Sequence, residues 1–381
     1  MYIYLDHNAT TPVRPEVADA MGDVLRRIHG NPSSVHAAGA AAKTAVERAR
    51  ECVASLLGVK AAEVLFTGGA TEANNTALFG LLRAQSNRRH VVTTTVEHPS
   101  VEAPLTQLER EGWRVTRVGV DEDGRVDPDE VGDVLTPDTA LVSVIWANNE
   151  TGSLQPIDEI AAIARERGVL VHSDATQAIG KVPVDLRRVS LNLLSLSAHK
   201  FNGPKGVGAL IVRGGLRFEP ILCGGPQEGR RRGGTENVAG IVGLGLASEL
   251  AERELSSRMR QYALLRDRLW EGIQAKVPDV RRNGSALHVL PNTLNVEFEG
   301  TAGELLLQAL DLEGVAVSSG AACASGSIEP SHVLIAMGRS AAAARGSLRL
   351  SVGHGVDANQ IDRVLALLPD LVERARMAGT Q

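Results

Sequence analysis

LLSLSAHKFNGPKG, Leu193 to Gly206, sets a lysine at the end of a run of aliphatic residues. Lysine is rarely placed where its charge loses water, so a strand that ends on Lys200 needs a chemical reason. Four similar runs precede it: VLFTGG (Val64–Gly69), HVVTTTVEH (His90–His98), ALVSVIWAN (Ala140–Asn148) and VLVHSDA (Val169–Ala175). Each is short, rich in β-branched residues and without strict alternation, the pattern of strands buried on both faces. Helical patterns separate them, as over Thr71–Arg83 and Ile157–Arg167. This alternation predicts an α/β fold with a mainly parallel central sheet flanked by helices. Ligands of such sheets bind beyond the carboxyl ends of the strands. Three of the runs end in His98, Asp174 and Lys200, which are therefore expected to share one site.

Beyond this core come a Gly-rich segment, CGGPQEGRRRGGTEN, and a long helical stretch over roughly Val238–Val277. The character then changes. TLNVEFEG, GVAVSSG and SLRLSVG read as strands, with AGELLLQALD and ANQIDRVLALLPDLVERAR as helices, giving a smaller α+β domain. The expected division is a large domain over residues 15–250 and a small one from residues 1–14 and 251–381.

The bulk numbers bound the function. At 381 residues with 43% hydrophobic content, the chain is long enough for a sizeable core, built mainly from aliphatic residues because aromatics supply only 3%. Forty Lys and Arg against 45 Asp and Glu leave a net charge of −5, which argues against nucleic acid as the main partner. The N-terminus, MYIYLDHNATTP, does not read as a signal peptide. No apolar run approaches the ~20 residues of a membrane span. Cys52, Cys223 and Cys323 lie far apart and form no CxxC pair, so neither a disulfide framework nor an intrinsic metal site is expected. A cytoplasmic protein with free thiols is the expectation.

Several residues carry chemistry. A lysine amine kept uncharged by burial suits Schiff-base chemistry with an aldehyde; a surface lysine before the turn NGPKG reads much the same. Ser197 and His199, beside Lys200, are candidate phosphate contacts. HSDATQ places Asp174 at the end of the preceding strand and Gln177 just after it. An acid there can pair with the ring nitrogen of a pyridoxal cofactor, or simply cap the next helix at its N-terminus. In FTGGATEANN, Ala70 and Thr71 open a helix, whose free N–H groups attract phosphate; two glycines before a helix are also a common tight turn. His98 can stack on an aromatic ring and exchange protons near neutral pH, or be structural. Asn149, in NNETG, can bond a phenolic oxygen or a substrate carboxylate, or form a turn. Arg349, within SLRLS, needs an anion, and a substrate carboxylate is a natural bidentate partner. Cys323, in SSGAACASGS, has neighbours suited to a loop rather than a core, and a thiol there is a plausible nucleophile. Cys52 reads as a small buried apolar residue and Cys223 as structural.

Taken in order, LDHNATTP, HGNPSSVH, TGGATEANN, EHPS, NNETG, HSDATQ, SAHKFNGPKG, GGPQEGRRRGGTEN, SSGAACASGS and SLRLS resemble the cysteine desulfurases, in the class V aminotransferase group of fold-type I pyridoxal-phosphate enzymes. The resemblance runs from Leu5 to about Gly353. It implies that pyridoxal 5'-phosphate is carried by Lys200 in the large domain, with Asp174 on the ring nitrogen and His98 stacked on the ring. It further implies that Gln177 and Asn149 lie about the phenolic oxygen, and that Ala70, Thr71, Ser197 and His199 hold the phosphate. Thr235 would join them from the second subunit of a homodimer. Arg349 would bind the carboxylate of L-cysteine. Cys323, in the small domain, would accept the sulfur as a persulfide and pass it to an iron–sulfur scaffold or another acceptor protein. Cys323 is also a candidate transient ligand of a nascent cluster. An aminotransferase, a kynureninase-like hydrolase and a selenocysteine lyase share the fold, and Cys323 argues against the first two. A non-catalytic binding protein of the same fold has no use for Lys200, Asp174 and Cys323 together.

Overall fold

In the computed structural model, which describes residues 2–84, 87–319 and 329–379, the apolar runs lie side by side. They form a seven-stranded sheet of β1 (Val64–Thr67), β2 (His90–Thr94), β3 (Arg114–Val118), β4 (Thr139–Ser143), β5 (Leu170–Asp174), β6 (Leu193–Ser197) and β7 (Gly208–Val212). The spatial order is β1-β7-β6-β5-β4-β2-β3. From β3 across to β6 every pairing is parallel, while β7 runs antiparallel to both β6 and β1.

Every residue of β2, β4, β6 and β7 is buried, because helices cover both faces. Neighbouring residues of one strand accordingly enter different cores. Val142 and Leu194 pack with Val53 and Leu57 of α1 (Ala37–Leu57), whereas Leu141 and Leu193 pack with Leu78, Leu105 and Leu108 on the other face. The predicted helix over Thr71–Arg83 is present as α2 (Ala70–Asn75), one π-helical turn at Thr76–Gly80 and a last turn to Arg83. Leu105 and Leu108 belong to α3 (Pro99–Arg110). Ile157–Glu166 forms α4.

Two strands depart from the sequence expectation. RVTRV of β3 is a half-exposed edge strand whose arginines mask its apolar residues. GALIV of β7 returns directly after the turn at Asn202, whose φ is 73°, so no helix separates it from β6 as the alternating pattern predicts.

The second sheet is antiparallel, with β8 (Val280–Asn283), β9 (Thr293–Phe298), β10 (Ser318–Ser319) and β11 (Ser347–Ser351) in the order β10-β11-β9-β8. GVAVSSG, expected as one strand, divides. Val315–Ala316 pairs in parallel with Ile3–Tyr4, and only Ser318–Ser319 joins β11. The 39-residue helix α5 (Val238–Lys276) serves both cores, with Ile241, Leu244 and Ala251 in the main one and Leu265, Leu269 and Ile273 against β9 and β11. Among the described residues no helix is long and apolar enough to cross a membrane.

Candidate active site

The carboxyl ends of β5 and β6 open into a cleft of about 900 Å³. Asp174 ends β5, opposite Ser195 in register. The Thr176 backbone N–H donates to Asp174 Oδ1 at 2.9 Å and Asn74 Nδ2 donates to Oδ2 at 2.8 Å. Both carboxylate oxygens are thus held, so Asp174 caps its own turn while lining the cleft. Lys200 lies one 3-10 turn beyond β6, partly buried, and Nζ donates to the carbonyls of Asn8 (2.7 Å) and Ala9 (2.9 Å).

That N-terminal segment is what the sequence reading missed. Asn8 is buried at the meeting of the two sheets: its Nδ2 donates to Thr293 Oγ1 at 2.9 Å and its carbonyl also accepts from Gln177 Nε2 at 2.8 Å. Lys181, one turn after Gln177, is buried and donates to Gln177 Oε1 (2.5 Å) and Asn8 Oδ1 (3.2 Å). Burial, with Lys200 and Arg349 adding repulsion, pushes its amine well below the usual lysine range. A neutral amine has two N–H donors, which is what these two amide oxygens require. The sequence signal was present in SDATQAIGK, but Lys181 does not end a strand and so drew no attention.

His98 stands four residues past the end of β2 and caps α3, with Nδ1 accepting from Ser100 N. His199 Nδ1 lies 3.1 Å from Thr10 Oγ1, and burial together with Lys200 lowers its pKa to about 4. Gly69, at φ 148°, lets the chain turn into α2 beside Ser197; a Cβ on Gly208 would strike Gly69 at 2.8 Å. The N–H groups of Ala70 and Thr71 have no acceptor one turn earlier in their helix.

Arg349 already has an anion, contrary to the expectation that it waits for one. Nη2 donates to Asp6 Oδ1 at 2.7 Å and Nη1 to the Asn149 carbonyl at 3.0 Å, while Nε is buried without a partner among the described residues. One edge of the guanidinium is therefore half used.

Ala70, Thr71, His98, Asn149, Asp174, Gln177, Ser197, His199, Lys200 and Arg349 all line this cleft. Thr235 does not; it is exposed on the loop after Cys223. Cys323 lies outside the described residues. Cys52 is half-buried, not the fully buried apolar residue expected, and Cys223 is exposed.

The donor set fits pyridoxal phosphate. Lys200 and Arg349 give the lining basic character, and His199 and Ser197 add neutral polar groups, which suits an anionic phosphate and phenolate. The fixed carboxylate of Asp174 suits a protonated pyridine.

The aminotransferase class-V family model matches residues 3–364. A cysteine desulfurase of Trichormus azollae is 48% identical over 374 residues, 98% of this chain and 94% of that protein. One from Cereibacter sphaeroides is 50% identical over 376 residues, 98% and 96% of the two. A solved NifS-like protein superposes with a TM-score of 0.92 at 37% identity, covering 98% of this chain and 99% of the other. A family match across nearly the whole chain, relatives near half identity and the lysine–aspartate cleft agree: the chain belongs to the pyridoxal-phosphate-dependent class-V aminotransferases, in the branch of the cysteine desulfurases.

Proposed function

We propose that this enzyme removes sulfur from L-cysteine, leaving L-alanine, and holds the sulfur as a persulfide on Cys323. The observation that carries the assignment of roles is the convergence of Lys200, Asp174 and Arg349 in one cleft. The cofactor, when bound, supplies an electron sink that acidifies the substrate Cα.

The residues divide the remaining work. Lys200 would hold the cofactor through its amine, and the same amine would move the Cα proton. Asp174 keeps the ring nitrogen protonated. Gln177, oriented by Lys181, and Asn149 lie about the phenolic oxygen, and Ala70, Thr71, Ser197 and His199 take the phosphate. Arg349 offers its unpartnered Nε and adjoining Nη2 to the substrate carboxylate, sharing the latter with Asp6. His98 attends the substrate thiol. The Cys323 thiolate attacks the substrate sulfur, the carbon–sulfur bond breaks, and its electron pair stays with the three-carbon skeleton, which is protonated to alanine.

Thr235 completes the phosphate site of a second copy in a homodimer. Its exposure, and the anchoring of its loop by the Arg50–Glu228 (2.8 Å) and Arg232–Glu72 (2.9 Å) ion pairs, support that reading. The persulfide is collected in the cytoplasm by an iron–sulfur scaffold or another sulfur-acceptor protein. Residues 15–250 act as the cofactor-binding domain, and residues 1–14 with 251–381 carry the Cys323 segment. Measuring sulfide and alanine released from cysteine, with and without scaffold proteins, tests the whole reading; no alanine from any combination refutes it.

Arg349→Ala is expected to raise the cysteine KM roughly ten- to a hundred-fold, since a lost charged hydrogen-bond pair costs about 1.5–3 kcal/mol. The absorbance of the bound cofactor should be unchanged. An unaltered KM moves the carboxylate site elsewhere.

Asp174→Ala is expected to weaken cofactor binding and slow proton removal from Cα, because an unprotonated pyridine is a poor sink. A spectrophotometric cofactor titration reads the first effect and turnover at saturating cofactor the second. Near-normal turnover there reduces Asp174 to the cap of the Thr176 turn.

A further inference from the structure

His98 caps α3 with an imidazole, a position usually held by Ser, Thr, Asp or Asn. The Ser100 backbone N–H donates to His98 Nδ1 at 3.1 Å, and the Ser100 hydroxyl lies 2.8 Å from the same nitrogen. A backbone N–H can only donate. Nδ1 is therefore the lone-pair nitrogen, and the proton of a neutral ring sits on Nε2.

The bonds behind Ser100 run in a fixed direction. Asn74 is buried, and its Nδ2 donates both to Asp174 Oδ2 and to Ser100 Oγ, each at 2.8 Å. The Asp174 carboxylate sets this orientation, because a flipped amide would turn Oδ1 against it. Asn74 Oδ1 is left buried without a partner among the described residues, a cost accepted to keep the amino end forward. Ser100 Oγ, already accepting from Asn74, turns its own hydrogen toward His98 Nδ1. Burial, reinforced by Lys200 and His332, also lowers the His98 pKa against the pull of Asp174, so the ring stays neutral.

We propose that Asn74 and Ser100 are positioning residues that couple Asp174 to His98 and hold His98 as its Nε2–H tautomer. This rests on the reading of His98 as the residue that attends the substrate thiol, and narrows it. A ring whose lone pair is tied to Ser100 does not take the thiol proton in its resting form. It donates a hydrogen bond to the sulfur and so favours cysteine bound as thiolate. One relay thereby orients the acid partner of the cofactor ring and the donor to the sulfur.

Histidine-selective 15N labelling of the full-length, cofactor-bound protein reads the tautomer from two-bond proton–nitrogen correlations, with His98→Gln identifying the signal. The wild type is expected to show a pyridine-type Nδ1 and a pyrrole-type Nε2. Asn74→Asp keeps the side-chain size but gives Ser100 an acceptor in place of a donor. The hydroxyl turns away from His98, Nδ1 loses a donor, and the His98 titration midpoint rises by about one pH unit. Ser100→Ala, the milder change for folding, shifts it the same way by less. A protonated Nδ1 in the wild type overturns the relay, as does a midpoint unmoved in both variants, the result of a merely structural Asn74. Alanine release is measured in parallel. A wild type that releases alanine with Nδ1 protonated overturns the relay alone. One with the Nε2–H ring and no alanine keeps the relay and removes the desulfurase role.

Discussion

Lys200→Ala is expected to bring turnover of cysteine below detection and to abolish the borohydride-reducible link between protein and cofactor. Only an amine can form that link, and few lysines reach the cleft. Lys205 lines it but is exposed beyond the turn. Lys181 is the serious competitor, because burial disfavours the charged form of its amine. Its Nζ is nevertheless committed to Gln177 Oε1 and Asn8 Oδ1, away from the open cleft. Reduction with borohydride followed by peptide mapping decides between them. A reduced cofactor adduct on Lys181 in the variant, with turnover retained, refutes the assignment of Lys200. Because Lys200 Nζ donates to the backbone carbonyls of Asn8 and Ala9, its truncation leaves acceptors that water can reach, and folding should survive.

Cys323→Ser is expected to separate the two halves of the reaction. The cofactor half belongs to Lys200 and Asp174, so the variant should still bind pyridoxal phosphate and change its spectrum on adding cysteine. Sulfur transfer should fail, because a serine hydroxyl is almost wholly protonated near neutral pH whereas a thiol is partly thiolate. Wild-type protein treated with cysteine should gain one sulfur atom on the peptide containing Cys323, by mass spectrometry. Cys52→Ser and Cys223→Ser should transfer sulfur normally. A persulfide on Cys223, which is exposed, or alanine release by Cys323→Ser at the wild-type rate, removes the desulfurase mechanism at its centre. The chain on either side of residues 320–328 is anchored near the cleft. Ser318 pairs with Arg349, and Ser331 Oγ donates to buried Glu150, the neighbour of Asn149.

Much of this was legible in the sequence because burial on both faces leaves an unmistakable trace. LLSLS and ALVS show no alternation since neither side of the sheet meets water, and the polar residue that ends such a strand stands out against it. Asp174 and Lys200 were found that way. What escaped notice lacked that contrast. RVTRV lies at the sheet edge, where arginine is at home. GALIV follows a hairpin turn rather than a helix. Asn8, Asn74 and Lys181 sit within helical or irregular segments, where an amide or amine reads as surface. Their burial follows from partners up to 343 positions away, as for Asn8 with Ser351, and no local pattern carries such information. Arg349 was singled out and lies in the cleft, yet its resting partner Asp6 was not, for the same reason.

The strap of residues over Lys200 also orders events in time. Asn8 N–H donates to Ser351 Oγ, 343 residues further on, and Ile3–Tyr4 pairs with Val315–Ala316. This segment therefore cannot settle until the strand that carries Ser351 has been synthesised. The parallel sheet can assemble during translation, but closure of this corner has to wait for the final strand. During that interval Lys200 lacks its two carbonyl acceptors and the cleft stands open to water and solutes. A partly synthesised chain is thus chemically unfinished even where it is already folded, because the strap over the reactive amine closes only after Ser351 has been made.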